Sequence, residues 1–380
     1  MDFCHRISGV LRAVTPIHIG SGSRTGVIKH SRKFIPGAAI RGAVGTAVIQ
    51  LVCRRKAPLV RHEECEYFND CLYVRLFGEE YGKPSKIFFR YAYPLHLTCG
   101  GVFRPTPKTL YRCNNPQCQK LFESFLPMDA CDLCGSTVKP LRGFRCDKCG
   151  EVETKPVSTS RITLTAVERK SLSAAQVGGG AGTLHSLEVI SAGARFGFEL
   201  MVYGANEEEL DVLKEIILRA LPDEGLGGSK SRGLGKVVVE NFNISTIGES
   251  DLKARSSAIN PNRFSVEVLS PTVLEGDILD PSVLLESIRR VYTMAYHAGK
   301  PALPSLELEN WAAEGETYTG WSLRWNRRRE VRPALSAGSI FEFRSKVGGS
   351  ELAMGLSALE MYAIGGYKPH GCGQIFVKSA

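Results

Sequence analysis

Cys113, Cys118, Cys131, Cys134, Cys146 and Cys149 fall in one short stretch at separations used by metal-ligating thiolates. Cys131-Asp132-Leu133-Cys134-Gly135 and Cys146-Asp147-Lys148-Cys149-Gly150 read as knuckle turns. Thiolates two residues apart can face one tetrahedral ion, and the glycine that follows permits the tight turn that aims backbone N–H groups at sulfur. The chemistry is structural zinc, because four thiolates leave no open position for a reacting water. One set is Cys113, Cys118, Cys131 and Cys134; another is Cys131, Cys134, Cys146 and Cys149. Spacing does not choose between them. If the first set holds, Cys146 and Cys149 need partners, with Cys65, Cys71 and Cys99 nearest in sequence and a second zinc then possible.

A second kind of chemistry is implied by a glycine-rich loop that occurs twice. Gly227, Gly228, Lys230, Gly233 and Gly235 recur, position for position, as Gly365, Gly366, Lys368, Gly371 and Gly373. Such glycine density frees the backbone for left-handed conformations and lets a polymer approach closely, where amide N–H groups can meet phosphate oxygens. Lys230, Ser231 and Arg232 in the first loop, and Lys368 and His370 in the second, supply matching charge and hydrogen bonds. Ser229 and Tyr367 occupy the same place in the two loops. The spacing excludes a mononucleotide phosphate loop. The run Val237-Val238-Val239 after the first loop is a strand, which excludes a dinucleotide fingerprint opening a helix.

The duplication extends to the elements that carry these loops. Ser191-Ala192-Gly193 followed by Phe196 and Phe198 reappears as Ser336-Ala337-Gly338 followed by Phe341 and Phe343. In the first half, Arg6 to Thr15 reads as a strand, and Pro36-Gly37 opens a helix with Ile40, Val44, Val48 and Leu51 on one face. Ser186 to Tyr203 reads as paired strands turning at Ala192-Gly193. Asn206 with Glu209 forms a capping box for a second helix that Pro222 ends. The second half repeats the order: a strand from Arg263, a helix from Asp280-Pro281, a strand pair near Ser336, a helix over Leu352 to Tyr362 and a closing strand Gln374 to Val377. Each half follows a ferredoxin-like plan. The expected fold is therefore α+β: two tandem ferredoxin-like domains, 1–255 and 256–380, with the cysteine-rich insertion at about 99–158 in the first.

At 380 residues and 43% hydrophobic content the chain can build real cores, and a net charge of +9 favours an anionic partner. No apolar stretch approaches the length of a membrane span and the first residues lack the order of a signal peptide, so the reading is a cytoplasmic protein with no membrane role. The cysteine pattern then means bound zinc in a reducing compartment rather than disulfides.

These features resemble the RAMP superfamily of CRISPR-associated proteins, whose ferredoxin-like domains are related to RNA recognition motifs. The residues that carry the resemblance are Ile17-His18-Ile19-Gly20-Ser21-Gly22, Ile35-Pro36-Gly37-Ala38-Ala39-Ile40-Arg41-Gly42 and the paired loops. Within the superfamily, the two-domain size, Arg161-Ile162-Thr163 ahead of Leu187-Glu188, and the zinc insertion look most like the Cas five-type (Csx ten) subunit of type III-D effectors. That resemblance implies a non-catalytic subunit that holds the repeat-derived 5′ handle of the guide RNA (crRNA). It also implies two protein partners, the large polymerase-like subunit and the backbone of repeated RAMP subunits. Carried onto this chain, the handle lies across both loops, Arg41 and Lys29 contact adjacent phosphates, and Tyr367, Phe34 and Arg24 stack on unpaired bases. The basic segment Arg324-Trp325-Asn326-Arg327-Arg328-Arg329 suits RNA or an acidic protein neighbour.

Three other functions compete. One, a backbone subunit of the same superfamily that cuts target RNA with a loop aspartate and a metal ion, is argued against by the full duplication, because that subunit usually has a single such domain. A metal-independent endoribonuclease of the same superfamily needs a general base, for which His18, His30 and His185 are the candidates. A zinc-ribbon nucleic-acid-binding factor would leave the paired loops unexplained.

Overall fold

The computed structural model describes residues 2–55, 64–78, 84–165, 176–177, 181–182, 184–277, 279–322 and 327–379. The chain is mixed α+β. Its larger sheet runs Val152–Glu153, Phe144–Cys146, Gly101–Pro105, Tyr93–His96, Arg195–Val202, Asp2–Ala13, Val237–Gly248, with Ile87–Phe89 also paired to Arg195–Val202. Every pairing within it is antiparallel. The smaller main sheet runs Leu306–Ala312, Ile340–Ser345, Arg263–Val268, Ile375–Ser379, also antiparallel. In both sheets the first strand of its half lies between the last strand and the strand that follows the Ser-Ala-Gly turn.

Helices cover these sheets for local reasons. Helix Gly37–Val52 places Ile40, Val44 and Val48 in the core, while Leu51 at its end is exposed. The capping box is present: Asn206 Oδ1 accepts from the Glu209 amide at 2.8 Å, and Glu209 Oε2 accepts from the Asn206 amide at 3.3 Å. Helix Glu207–Glu215 does not stop at Pro222. It passes through a π-turn, Ile216–Ala220, into a last turn, Leu221–Glu224, that contains Pro222; Gly225 at φ +69° ends it. Asp280 caps helix Pro281–Tyr296 through the Ser282 amide at 2.8 Å, and Leu284, Ile288 and Val291 are buried. Helix Ser350–Tyr362 packs beside it.

The strands on either side of the Ser-Ala-Gly turns do not pair with each other. Leu184–Ile190 joins Thr159–Thr165 and Ile28–Ser31 in a separate sheet, while Arg195–Val202 enters the larger sheet. In the second half Arg332–Leu335 pairs with Gly315–Tyr318, while Ile340–Ser345 enters the main sheet. The turn is a sheet switch. Gly193 and Gly338 sit at φ +86° and +89°, and their amides bond Ala13 O and Val268 O, the ends of equivalent strands, at 2.8 and 2.7 Å.

One core lies inside the first half around Ile7, Leu11, Phe196 and Phe198; the other spans both halves, from Phe3, Phe88 and Met201 to Ile288 and Leu356. Polar bonds reinforce that shared core. Arg90 donates to Glu360 O and Met361 O, Tyr203 Oη to Met361 O and Tyr93 Oη to Leu269 O. Among the described residues no helix is long and apolar enough to cross a membrane.

Candidate RNA interface and metal clusters

The two glycine loops share one backbone conformation and most of its hydrogen bonds. Gly227 and Gly365, Ser229 and Tyr367, Gly233 and Gly371, and Gly235 and Gly373 all have positive φ. The Gly228 amide bonds His18 O at 2.9 Å, and that of Gly366 bonds Val273 O at 2.8 Å. The Gly235 and Gly373 amides bond Pro16 O and Pro271 O at 2.9 and 3.0 Å. A Cβ on Gly235 would lie 2.1 Å from Leu226 O, and one on Gly373 1.8 Å from Ile364 O, so the loop closes on its own backbone and admits no side chain there. Each loop therefore rests on the segment after the first strand of its half. Thr15-Pro16 and Ser270-Pro271 are the sequence signal for this support, and it is legible only once the loops are aligned.

Their surroundings differ. Ser231, Arg232 and Gly233 are exposed, and among the described residues Arg232 has no acidic partner, while Lys230 is ion-paired with Glu224. The second loop is wedged against the first half: a Cβ on Gly371 would lie 2.4 Å from Phe89 O, and one on Gly37 2.8 Å from His370 O. His370 is half-buried, and burial, with Arg41 and Arg329 adding to it, holds its imidazole well below the usual range, so it carries no charge for a phosphate at neutral pH. Tyr367 packs on Tyr318 at 5.2 Å.

The remaining RNA-contact expectations divide by exposure. Arg24 is exposed and Lys29 half-buried on the hairpin Gly20–Thr25 and Ile28–Ser31. Phe34 is packed within a ring cluster, with Tyr91 at 5.6 Å, Tyr93 at 5.5 Å and the Arg32 guanidinium at 5.7 Å. Arg41 donates to Phe77 O at 2.8 Å and lies 4.9 Å from the Phe77 ring; burial pulls it down to about 10. In this conformation Arg41 braces the helix–strand junction. Arg324, Trp325 and Asn326 lie outside the described residues. Beside them, Trp321 is exposed and pairs with Arg328 across a short hairpin.

The three histidines separate. His18 is buried and its Nδ1 lies 2.7 Å from Glu188 O. His30 has Nδ1 3.2 Å from Glu188 Oε2 and Nε2 2.9 Å from Thr25 Oγ1, so both ring nitrogens are engaged. Lys33 holds the other Glu188 oxygen at 2.5 Å. Burial opposes ionisation of Glu188, but Lys33, the Ser31 amide and His30 outweigh it and bring the carboxyl down to about 2. His185 is half-buried on the separate sheet strand Leu184–Ile190.

Two clusters in the cysteine-rich stretch could hold a metal ion. The first is Cys113, Cys118, Cys131 and Cys134; the second is His96, Cys99, Cys146 and Cys149. The alternative set of Cys131, Cys134, Cys146 and Cys149 is not assembled, because the two knuckles face different partners. Both knuckles make the same turn, with Gly135 N–H on Cys131 O at 2.9 Å and Gly150 N–H on Cys146 O at 3.0 Å. In the first cluster Cys113 and Cys134 sulfurs are 3.4 Å apart, and Cys118 and Cys131 sulfurs 3.8 Å. In the second, Cys99 and Cys146 sulfurs are 3.4 Å apart, and His96 Nδ1 is 3.2 Å from both Cys99 and Cys149. Sulfurs bound to zinc at about 2.3 Å stand ~3.8 Å apart in a tetrahedron, so the donor sets fit such an ion. Glu151 Oε2 lies 3.4 Å from His96 Nε2, an outer carboxylate that fixes the imidazole with Nδ1 toward the sulfurs.

In each cluster one sulfur is favoured as the thiolate, the ligand form, while burial and the neighbouring sulfurs push Cys113 up to about 12 and, against the Lys120 and Glu151 amides, raise Cys118 and Cys149. Hydrogen bonds from Ser136 bring Cys134 down to about 6. Burial opposes ionisation of Cys146, but the Cys149 and Lys148 amides and His96 outweigh it and bring it to about 6. The sequence reading missed His96. Its signal is His96-Leu97-Thr98-Cys99-Gly100, a knuckle with histidine in the first place, closed like the others by the Gly100 amide on His96 O at 2.8 Å. Cys65 and Cys71 belong to neither cluster and line, with Cys53, a separate cavity of about 300 Å³.

The stretch is not a freely hanging insertion. Gly101–Pro105 and Phe144–Cys146 extend the larger sheet, and Lys108 and Arg142 hold Glu314 of the second half at 2.5 and 2.8 Å.

No curated protein matches the chain. Among solved structures, one described as a Type III-B Cmr-beta cryo-EM structure bound to cognate target RNA aligns at 11% identity and a TM-score of 0.36, over 64% of this chain and 61% of that one. A Type III-B Cmr-beta cryo-EM structure of the apo state aligns at 13% identity and a TM-score of 0.35, over 62% and 96%. The chain thus spans about three-fifths of the first of these, and scores this low carry no argument. The RAMP superfamily profile matches residues 10–238, from the first strand through the first glycine loop into the strand that closes the larger sheet. With more than half of its length inside that match, the chain belongs to the RAMP superfamily.

Proposed function

We propose that this protein is a non-catalytic subunit of a type III CRISPR effector that holds the 5′ handle of the guide RNA and joins the large polymerase-like subunit to the backbone of repeated RAMP subunits. The single observation that carries this reading is the pair of glycine loops with one backbone, each supported by the strand end of its half, in a member of the RAMP superfamily. Two such loops on duplicated strand orders favour two tandem ferredoxin-like domains, 1–255 and 256–380. The donor sets of both cysteine clusters favour structural zinc, with four protein ligands each. The Cas five-type class of type III-D effectors accommodates this combination.

A strand running over the first loop would meet Ser231 and Arg232; Arg24 and Lys29 lie on the hairpin that follows His18, which bridges to Gly228. The endoribonuclease reading rests on one observation, the gathering of His18, His30 and Lys33 around Glu188. There the acidic group is spent on Lys33 and His30, and His30 has no free ring nitrogen for a proton from a ribose hydroxyl. That arrangement favours scaffolding over general-base catalysis.

The test is the salt dependence of binding to a repeat-derived RNA. Arg232→Ala is expected to weaken binding and to reduce the slope of log K against log salt by roughly 0.7 to 1, one phosphate contact. Unchanged affinity and slope would remove the first loop from the RNA path.

A further inference from the structure

The two loops share a backbone but not an electrostatic setting. Gly225 and Ala363 have matching left-handed φ, +69° and +68°, and their amides close the preceding helices on Leu221 O and Leu359 O. Glu224 therefore corresponds to Tyr362, just as Lys230 corresponds to Lys368. In the first loop the Lys230 ammonium is neutralised by Glu224, whose side chain is largely buried. In the second, the place of that carboxylate is taken by a ring, and Lys368 Nζ lies 4.1 Å from the Tyr362 centroid.

Tyr362 is itself fixed, with the Phe88 ring at 5.2 Å and the Tyr203 ring at 5.3 Å. Among the described residues, neither Lys368 nor Arg290, the exposed cation on helix Pro281–Tyr296 whose field reaches it, has an acidic partner. Burial, reinforced by Arg290, lowers Lys368 to about 8. A half-buried ammonium on an aromatic face, with no carboxylate partner, gains most from an anion that accepts a hydrogen bond from it and neutralises its charge. Gly366 beside it is exposed, so a polymer can approach without a side chain in the way.

We propose that the second glycine loop carries the main phosphate-gripping cation of this protein: Lys368 holds a backbone phosphodiester of single-stranded RNA, whereas Glu224 cancels the equivalent Lys230. The duplication has thus produced two unequal sites. This inference rests on the RNA-binding reading above and ranks the two loops within it. An RNA strand is favoured over an acidic protein segment because Gly366 is exposed beside Lys368, so that a phosphate backbone can approach it, and the equivalent first loop exposes Arg232, which has no acidic partner among the described residues.

The full chain is titrated with a 5′-fluorescein-labelled single-stranded uridylate oligomer over a range of salt, read by anisotropy. Lys368→Met, which keeps the stem on Tyr362, is expected to weaken binding severalfold and to lower the salt slope by about 0.7, the value for one single-strand phosphate. Lys230→Met should leave the slope unchanged, and Glu224→Gln should tighten binding. A wild-type slope in Lys368→Met, or an equal loss in Lys230→Met, overturns the ranking while RNA binding itself stands. No salt-dependent binding by the wild-type protein overturns both readings.

A second measurement on the wild-type protein requires no folded variant. The rate at which each lysine is acylated, followed by mass spectrometry across pH, should show Lys368 titrating near 8 and protected by inorganic tripolyphosphate, with Lys230 unprotected. Absence of protection at Lys368 overturns the anion site. Protection without RNA binding overturns the RNA occupant and leaves an acidic protein segment as the source of the anion.

Discussion

Replacing Cys131 with serine is expected to lower the zinc content of the purified protein from two ions per chain to one. Cys131 is 3% exposed, and its sulfur lies 3.8 Å from that of Cys118, inside the four-sulfur cluster. Structural zinc sites of this kind contribute about 10–16 kcal/mol of folding free energy in isolated peptides near neutral pH, more than a three-stranded patch of short strands can replace. That patch is Leu110–Cys113, Leu121–Glu123 and Val138–Pro140. The variant should therefore be cut by protease between about residues 113 and 140 while the rest of the chain stays resistant. The second ion should remain, because His96, Cys99 and Cys146 sit on or beside strands of the larger sheet. Elemental analysis with limited proteolysis reads both effects. Unchanged metal content in the variant would show that the four sulfurs are not one site.

Arg255→Ala should lower global stability by about 3 kcal/mol. Arg255 donates to both oxygens of Glu360 at 2.7 Å and to Val377 O at 2.6 Å, and so joins helix Glu249–Ser256 to helix Ser350–Tyr362 and the closing strand. The Glu360 side chain is 5% exposed and that of Arg255 27%. Removing the arginine leaves a buried carboxylate whose remaining partner is the Val377 amide at 2.7 Å. Breaking a buried pair costs about 3–5 kcal/mol, and the retained amide bond and the partial exposure of Arg255 place this case near 3 kcal/mol. The urea midpoint should fall accordingly, with the same dependence on denaturant. A loss below about 1 kcal/mol would mean that the pair is an incidental surface contact.

What was legible in the sequence is what local chemistry dictates. The Asn206 capping box, the Asp280-Pro281 helix start and the glycines of both loops act through residues within a few positions of one another, and the structure has them all. The knuckle turns were legible for the same reason. Which knuckle joins which partner was not, because that depends on Gly101–Pro105 pairing with Phe144–Cys146 and thus bringing Cys146 to Cys99 and His96. The strands flanking Ser191-Ala192-Gly193 and Ser336-Ala337-Gly338 read as hairpins because periodicity cannot reveal that a strand pairs elsewhere. Two further features are long-range for the same reason: Phe34 lies under Tyr91 and Tyr93, and the second loop packs on Phe89 and Gly37. Glu224 stands six residues before Lys230, yet their pairing requires the helix to run past Pro222 to Gly225.

The most direct test of the account is to purify the tagged protein from its native host, sequence the RNA that accompanies it, and incubate the purified protein with a repeat transcript in EDTA. The account predicts intact guides that share one repeat-derived 5′ end, and a transcript left uncut. Cleavage of the transcript in EDTA would contradict it, making the protein a processing nuclease with His18, His30 and His185 as the residues to replace first; bound RNA without a common 5′ end would contradict the handle-binding role.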